Sequence, residues 1–383
     1  MHVFPLFGAL ASFLFLLCPA DTRADPSCDC FETSTHEYFT EHIFHDFRTL
    51  PSVAATPALP SGLPSTLNPT QNDFDRQPSI GLQQAGWIQT SAWTNFWGTM
   101  SWGKVSSSDF PIRMQNSFAN VYVDDSDLDV NATSKLVLRT HRFQTFQSAA
   151  EVESEQKNLF YASLRFRARV HGAPGAVAGL FLFRNDQNES DIEILTRDLP
   201  AEIRFSNQPV VDKIGNEITG ASTSVNLDTG AKLDGAEDPD VLRRRSTDVR
   251  WDGWHTYRLD WVRGRNTWFV DGKHYLDKKY GVPTVPSYLV MNMWSDGGVW
   301  SGNMTIGQTA YLDVSYVEMI FNTSGPIAGY AGSKRDNNLC QNVCVVDGVD
   351  VVGTPQAKTA AAGRMAVQVG LLLGAVVAAV MLA

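Results

Sequence analysis

Between residues 87 and 322 the sequence returns again and again to short runs in which apolar and polar residues alternate, separated by Gly, Asp and Asn turns. Leu164-Arg165-Phe166-Arg167-Ala168-Arg169-Val170 is the clearest of them. Successive side chains on a strand point to opposite sides, so this run sends one face into a core and the other to water. Tyr257-Arg258-Leu259-Asp260-Trp261 and Leu136-Val137-Leu138-Arg139 keep the same period, and Asp271-Gly272 between two such runs marks a hairpin. A sustained 3.6-residue period is scarce. Many short strands with turns every ~8–15 residues predict an all-β fold, a sandwich or jelly roll.

The two ends read as addresses rather than as fold. Residues 6–17 are almost unbroken apolar, with small residues at Ala20 and Ala24, the pattern of a secretory signal peptide over 1–24. Residues 365–383 are again apolar and follow a small, polar stretch at 353–359, which fits a glycosylphosphatidylinositol attachment signal over 354–383; a retained hydrophobic tail is the other reading. Of five cysteines, Cys18 leaves with the leader, and Cys28, Cys30, Cys340 and Cys344 remain. An even number in an exported chain implies two disulfides, with three pairings open. Neighbours in Cys-x-Cys are poor partners for each other, so each N-terminal cysteine is expected to pair with a C-terminal one. The division expected is an N-terminal segment at 25–50, a Pro-rich insertion at 51–76, the main domain at 77–325 and a C-terminal Cys segment at 326–353. Asn131, Asn303 and Asn322 stand in glycosylation sequons; Asn188 does too and is expected bare. A net charge of −10 without a Lys/Arg tract argues against a nucleic-acid partner. His42-x-x-His45 reads as surface, with no third ligand spaced to make a metal site.

The segment that narrows function is Asn188-Glu189-Ser190-Asp191-Ile192-Glu193-Ile194-Leu195, which follows the apolar run 176–183. As a strand it projects Glu189, Asp191 and Glu193 from one face and Ser190, Ile192 and Ile194 from the other. Like charges lined up on a core-anchored strand destabilise it, and desolvation adds to the cost, so a function is the natural offset. The Cα atoms of Glu189 and Glu193 are about 13 Å apart on an extended strand, and side chains leaning together bring the carboxyls to about 5–6 Å. Retaining glycosidases hold a nucleophile and an acid/base about 5–5.5 Å apart. On that spacing Glu189 attacks the anomeric carbon, Glu193 is the acid/base, and Asp191 hydrogen-bonds the nucleophile and sets which carboxyl keeps the proton. Two other readings stay open on the pattern: a Ca²⁺ ligand set and a plain acidic face. The catalytic reading requires no metal and no cofactor.

Glu189-Ser190-Asp191-Ile192-Glu193 resembles the signature strand of glycoside hydrolase family 16, whose fold is concanavalin-A-like. The resemblance covers residues 44–322. Phe44-His45-Asp46-Phe47 resembles the opening strand of that family, Leu138-Arg139-Thr140 and the run 147–154 the strands before the site, and Trp254-His255 through Trp261 and Met291-Asn292-Met293-Trp294 through Trp300 the strands after it. It implies a β-jelly-roll sandwich of two antiparallel sheets with a concave substrate cleft, with Glu189, Asp191 and Glu193 as nucleophile, assisting acid and acid/base. Arg204, Asn207 and Gln208 are implied as partners of sugar hydroxyls. Asn292 and Trp294 share a face opposite Leu289, Met291 and Met293, and Trp294 and Trp300 are candidate platforms for pyranose stacking in a chain with ten Trp, ten Tyr and 21 Phe. The activity implied is retaining, endo-acting hydrolysis of β-1,3/β-1,4-linked glucan through a covalent glycosyl-enzyme. The alternatives are a cell-wall transglycosylase using the same triad and a non-catalytic carbohydrate-binding jelly roll. The ends and the resemblance together imply a fungal-type monomer, secreted and tethered to the plasma membrane or the cell wall.

Overall fold

A computed structural model of the chain describes residues 28–60, 86–126, 132–233, 249–327 and 340–358. The expected leader, the Pro-rich insertion beyond residue 60, Asn131 and the tail beyond Lys358 lie outside the described residues.

Two sheets are stacked face to face. The inner one runs Ser222–Asn226, Glu202–Asn207, Asn188–Leu195, Val177–Asn185, Tyr288–Trp294, Gln147–Ser154 and Trp97–Thr99, all antiparallel. In the outer one Lys273–Lys278, Arg265–Val270, His255–Val262, Leu159–Gly172 and Thr309–Thr323 follow one another. Both Glu41–Asp46 and Ser134–Arg142 line the far edge of Thr309–Thr323. The start of Gln147–Ser154 pairs with Ser134–Arg142 and the rest of it with Tyr288–Trp294, so the sandwich is one continuous seventeen-stranded sheet folded on itself. That is the expected jelly roll, with one parallel pairing, of Met114–Asn116 on Gln147–Ser154, among these antiparallel ones.

The alternation fills the gap between the sheets. Leu164, Phe166, Ala168 and Val170 of the outer sheet face Leu180, Leu182, Ile192, Ile194, Met291 and Met293 of the inner one, all at most 1% exposed and all in one apolar cluster. The opposite face of the outer sheet departs from the sequence expectation, because Arg165, Arg169, Arg258 and Asp260 are buried rather than in water. Arg169 is neutralised by Asp313 on the neighbouring strand, at 2.8 Å. His42 and His45 also correct the surface reading. His42 is buried against Glu318, at 2.8 Å, and His45 turns inward between the Phe96 and Trp97 rings, where burial lowers its pKa to about 3.

Both ends of the described chain cover that outer face. Tyr38–Phe39, Cys30–Glu32, Val343–Val345 and Gln356–Ala357 form a separate four-stranded sheet, closed by disulfides Cys28–Cys344 and Cys30–Cys340. Phe31, Phe39 and Val346 seat this clasp on Ile320 of the outer sheet. Gly353 (φ +81°) lies so close to the Phe44 ring that a Cβ there would meet it at 2.3 Å. The tail expected from residue 354 is therefore folded as far as Lys358, which reaches Glu32 at 2.6 Å. Asp347 joins clasp to sheet. Its carboxylate accepts from Arg165 Nη2 at 2.9 and 3.0 Å, from Arg258 Nη1 at 3.0 Å and from the Ser34 N–H at 2.7 Å.

Burial pushes the Asp347 carboxyl up, but Arg165 and Arg258 outweigh it and hold it at about 2. The folded-state pKa lies below the ordinary value of 3.8, so this contribution is present above about pH 4 and is lost as the pH falls toward 2. Asp347→Asn is expected to lower the unfolding free energy by roughly 2 kcal/mol at pH 7, and by less as the pH approaches 2. Urea titrations at pH 7 and pH 2.5 check this.

Candidate active site

The acidic strand Asn188–Leu195 is fixed from its inner face. Ile192 and Ile194 are core residues, Asn266 Nδ2 donates to Ser190 Oγ at 2.5 Å, and Trp268 Nε1 donates to the Asp191 carbonyl at 3.1 Å. Glu189, Asp191 and Glu193 take the other face, toward a groove across the inner sheet. Register then sets their neighbours. Glu189 stands opposite Phe183, Asp191 between Phe181 and Ser206, and Glu193 between Gly179 and Arg204. Beyond Gly179 the same row continues to Asn292 and Glu151. A side chain at Gly179 would put its Cβ 2.6 Å from Asn292 Oδ1, so glycine there lets the Asn292 amide pack close against the strand.

The three acids differ in how they hold protons. Asp191, only 3% exposed, is raised well above the usual carboxylate range by burial and by the charges of Glu189 and Glu193. Burial raises Glu189 to about 8, against the pull of its hydrogen bond with Asp191. The more deeply buried Asp191 keeps the proton of this pair and donates it in the hydrogen bond, leaving Glu189 the acceptor and free to be the carboxylate. Glu193 is raised to about 7 by burial, moderated by the indole N–H of Trp300 and the positive charge of Arg204. A carboxyl near 7 is suited to give and take a proton at neutral pH.

Most of the other expected site residues gather here. Trp300 Nε1 donates to Glu193 Oε1 at 3.0 Å, and Arg204 lies over the Trp300 ring at 4.9 Å. The Gln208 side chain lies near Asp191 and favours its ionised form, its Oε1 accepts from the Val210 N–H at 3.0 Å, and its backbone N–H donates to the Glu189 carbonyl. Asn292 and Trp294 take the groove side of their strand, while Leu289, Met291 and Met293 are core. Asn207 is a correction. It pairs with Ser190 and so faces inward, fully buried, accepting from Asn266 and donating to the Tyr280 carbonyl. One residue's shift along a strand reverses its face, which is why Gln208 reaches the groove and Asn207 does not. Asn188, at the mouth of the strand, uses both ends of its amide, donating to Asn185 and accepting from Thr284.

The sequence reading passed over Glu151. It lies on the same face, accepts from Trp102 Nε1 at 2.6 Å and from Asn292 at 3.5 Å, and is pushed by burial to about 7. Its signal was the alternation Ala150-Glu151-Val152-Glu153, which puts two acids on one strand face. Nothing in that run says that its strand pairs with Tyr288–Trp294 in the sheet of the acidic strand.

Residues 114–317, more than half of the chain, match the model of glycosyl hydrolases family 16. The chain belongs to that family. The match takes in the acidic strand, its neighbours and the Trp300 loop, and it leaves out Glu41–Asp46 and the clasp. Among similar proteins, a β-glucanase of Paenibacillus macerans is 32% identical over 72 residues, 18% of this chain and 30% of that protein. Congo red hypersensitive protein 1 of Saccharomyces cerevisiae is 26% identical over 170 residues, 42% of this chain and 29% of that protein. The chain thus spans less than a third of the length of either relative. A solved β-glucanase of Bacillus licheniformis superposes on 59% of this chain and 92% of its own at 20% identity, with a TM-score of 0.42. Among the described residues no group of His, Cys, Asp and Glu is arranged to hold a metal ion, and no helix is long and apolar enough to cross a membrane.

Proposed function

We propose that the protein is a retaining, endo-acting glycosidase of β-1,3/β-1,4-linked glucan, with Glu189 as nucleophile, Asp191 as its proton-holding partner and Glu193 as acid/base. The observation that carries this reading is the division of labour along one strand. Asp191 holds its proton against Glu189, while Glu193, with its own partners Trp300 and Arg204, is raised to about 7. Glu189 attacks the anomeric carbon and forms a glycosyl ester as Glu193 gives its proton to the leaving glycosidic oxygen. Glu193, now a carboxylate, takes a proton from water, whose oxygen displaces Glu189. If a sugar hydroxyl arrives in place of water, the same step lengthens a chain. Asn292, Gln208 and Trp294 are the proposed contacts of the sugar, the first two to hydroxyls and the third by stacking. Secretion, a lipid or hydrophobic tether at the cell surface, glycans on Asn131, Asn303 and Asn322, and a monomeric state belong to the same proposal and rest on the sequence.

Product analysis with laminarin, lichenan and chitin oligosaccharides tests it. Shorter products support hydrolysis, longer ones transfer, and tight binding without turnover a carbohydrate-binding protein. Glu193→Ala is expected to lose about 10³-fold or more on glucan, yet to keep the first step on aryl glycosides whose leaving group needs no proton. Equal losses on both substrates would remove Glu193 from the acid/base role.

A further inference from the structure

The mechanism needs the proton of Glu193 on the oxygen that faces the glycosidic bond, and one contact at this carboxyl is asymmetric. Trp300 Nε1 donates to Oε1 at 3.0 Å. A protonated carboxyl has one carbonyl oxygen and one hydroxyl, and the carbonyl oxygen is the better acceptor of an N–H. We propose, resting on the reading of Glu193 as acid/base, that Trp300 is a positioning residue: its indole N–H claims Oε1, so that the proton delivered to substrate is carried on Oε2.

The surroundings of the indole are built to hold it. Its loop is tied by Asp296, whose Oδ1 accepts from the Gly298 N–H and the Ser301 hydroxyl, each at 3.0 Å, while Oδ2 receives Lys104 Nζ at 3.1 Å. One ring face is covered by the Arg204 guanidinium at 4.9 Å. Arg204 is itself held by Asp198, at 2.8 and 3.0 Å, and by Glu202, at 3.3 Å, so it does not swing onto Glu193 as a direct ion pair. An Arg in direct contact with both oxygens would keep Glu193 ionised and abolish an acid. An indole N–H one bond away stabilises the carboxylate more gently and leaves the second oxygen free. Sequence reading placed Trp300 among the sugar platforms. Its position instead makes it a device for the acid.

Two measurements on the full-length protein test this. In the wild type, the indole N–H resonance that Trp300→Phe removes is expected to shift with pH, with a midpoint near 7, and the shift is expected to vanish in Glu193→Gln. Trp300→Phe keeps the ring and loses the donor. It is expected to move the alkaline limb of kcat/KM upward by about one pH unit and to cut kcat on glucan about tenfold or more, with KM nearly unchanged and a smaller loss on activated aryl glycosides. An indole resonance indifferent to pH overturns the proposal. So does a Trp300→Phe variant whose KM rises alike on both substrates with the alkaline limb in place, which is the behaviour of a stacking ring. Failure of the underlying reading looks different: Glu193→Ala would then lose both substrates equally even though the indole titrates.

Discussion

Glu189→Gln is expected to abolish turnover of glucan, by roughly 10⁴-fold or more, and to make the protein more stable. The amide is isosteric and retains a hydrogen-bond acceptor for Asp191, but it does not form the glycosyl ester, so the chemical step has no first half. A loss of that size corresponds to about 5.5 kcal/mol of transition-state stabilisation. The stability gain follows from the same burial. In the folded protein the buried Glu189–Asp191 pair keeps one proton, held on Asp191, that the unfolded chain releases, and burial makes the Glu189 carboxylate costly, so stability falls as the pH rises above the ordinary carboxylate range. Removing the ionisable group is expected to recover about 1–2 kcal/mol at pH 8 and little at pH 4.5. Product chromatography, with melting curves at the two pH values, checks both halves. Unchanged turnover would end the proposed assignment of the nucleophile, and a less stable variant would mean that the acid is not held at a cost.

Removal of both disulfides is expected to have the largest effect on stability. Cys28–Cys344 and Cys30–Cys340 close loops of 316 and 310 residues around the same chain, and the loop model gives about 6 kcal/mol for closing one of that size. The second bridge then adds less, because the first already holds the ends together. Cys28→Ser with Cys344→Ser, or Cys30→Ser with Cys340→Ser, is expected to cost about 2 kcal/mol, and the fourfold variant about 8, a strongly non-additive pair. Loss of the clasp also hydrates the outer face, where Arg165, Arg258 and Glu318 are now covered. The groove lies on the other sheet, so kcat measured well below the melting point should not change in any of these variants. Denaturant curves of the three proteins decide it. If one pair costs as much as both, the bridges do not share one tether.

What the local sequence determined was everything with a period of two. Alternation alone put Leu164, Phe166, Ala168 and Val170 in the core, and it put Glu189, Asp191 and Glu193 on one face of one strand. It also carried the resemblance to family 16, whose motif lies within five consecutive residues and whose model matches residues 114–317. Residues whose role depends on a partner far along the chain were not legible. Arg165 looked solvated until the chain around Asp347 folded back over it, and Glu151 looked like any outward acid until pairing with Tyr288–Trp294 placed it in the groove. Asn207 and Gln208 were indistinguishable as sequence, and a single step of register separated core from cleft. Trp300 is the sharpest case. Its loop gives no period to read, so its contact with Glu193 exists only because the sheet sets Tyr288–Trp294 one strand away from the acidic strand, across Val177–Asn185, and the loop that follows reaches Glu193. Side-chain direction along a strand is set by local geometry, whereas the neighbour it meets is set by the packing of strands more than a hundred residues apart.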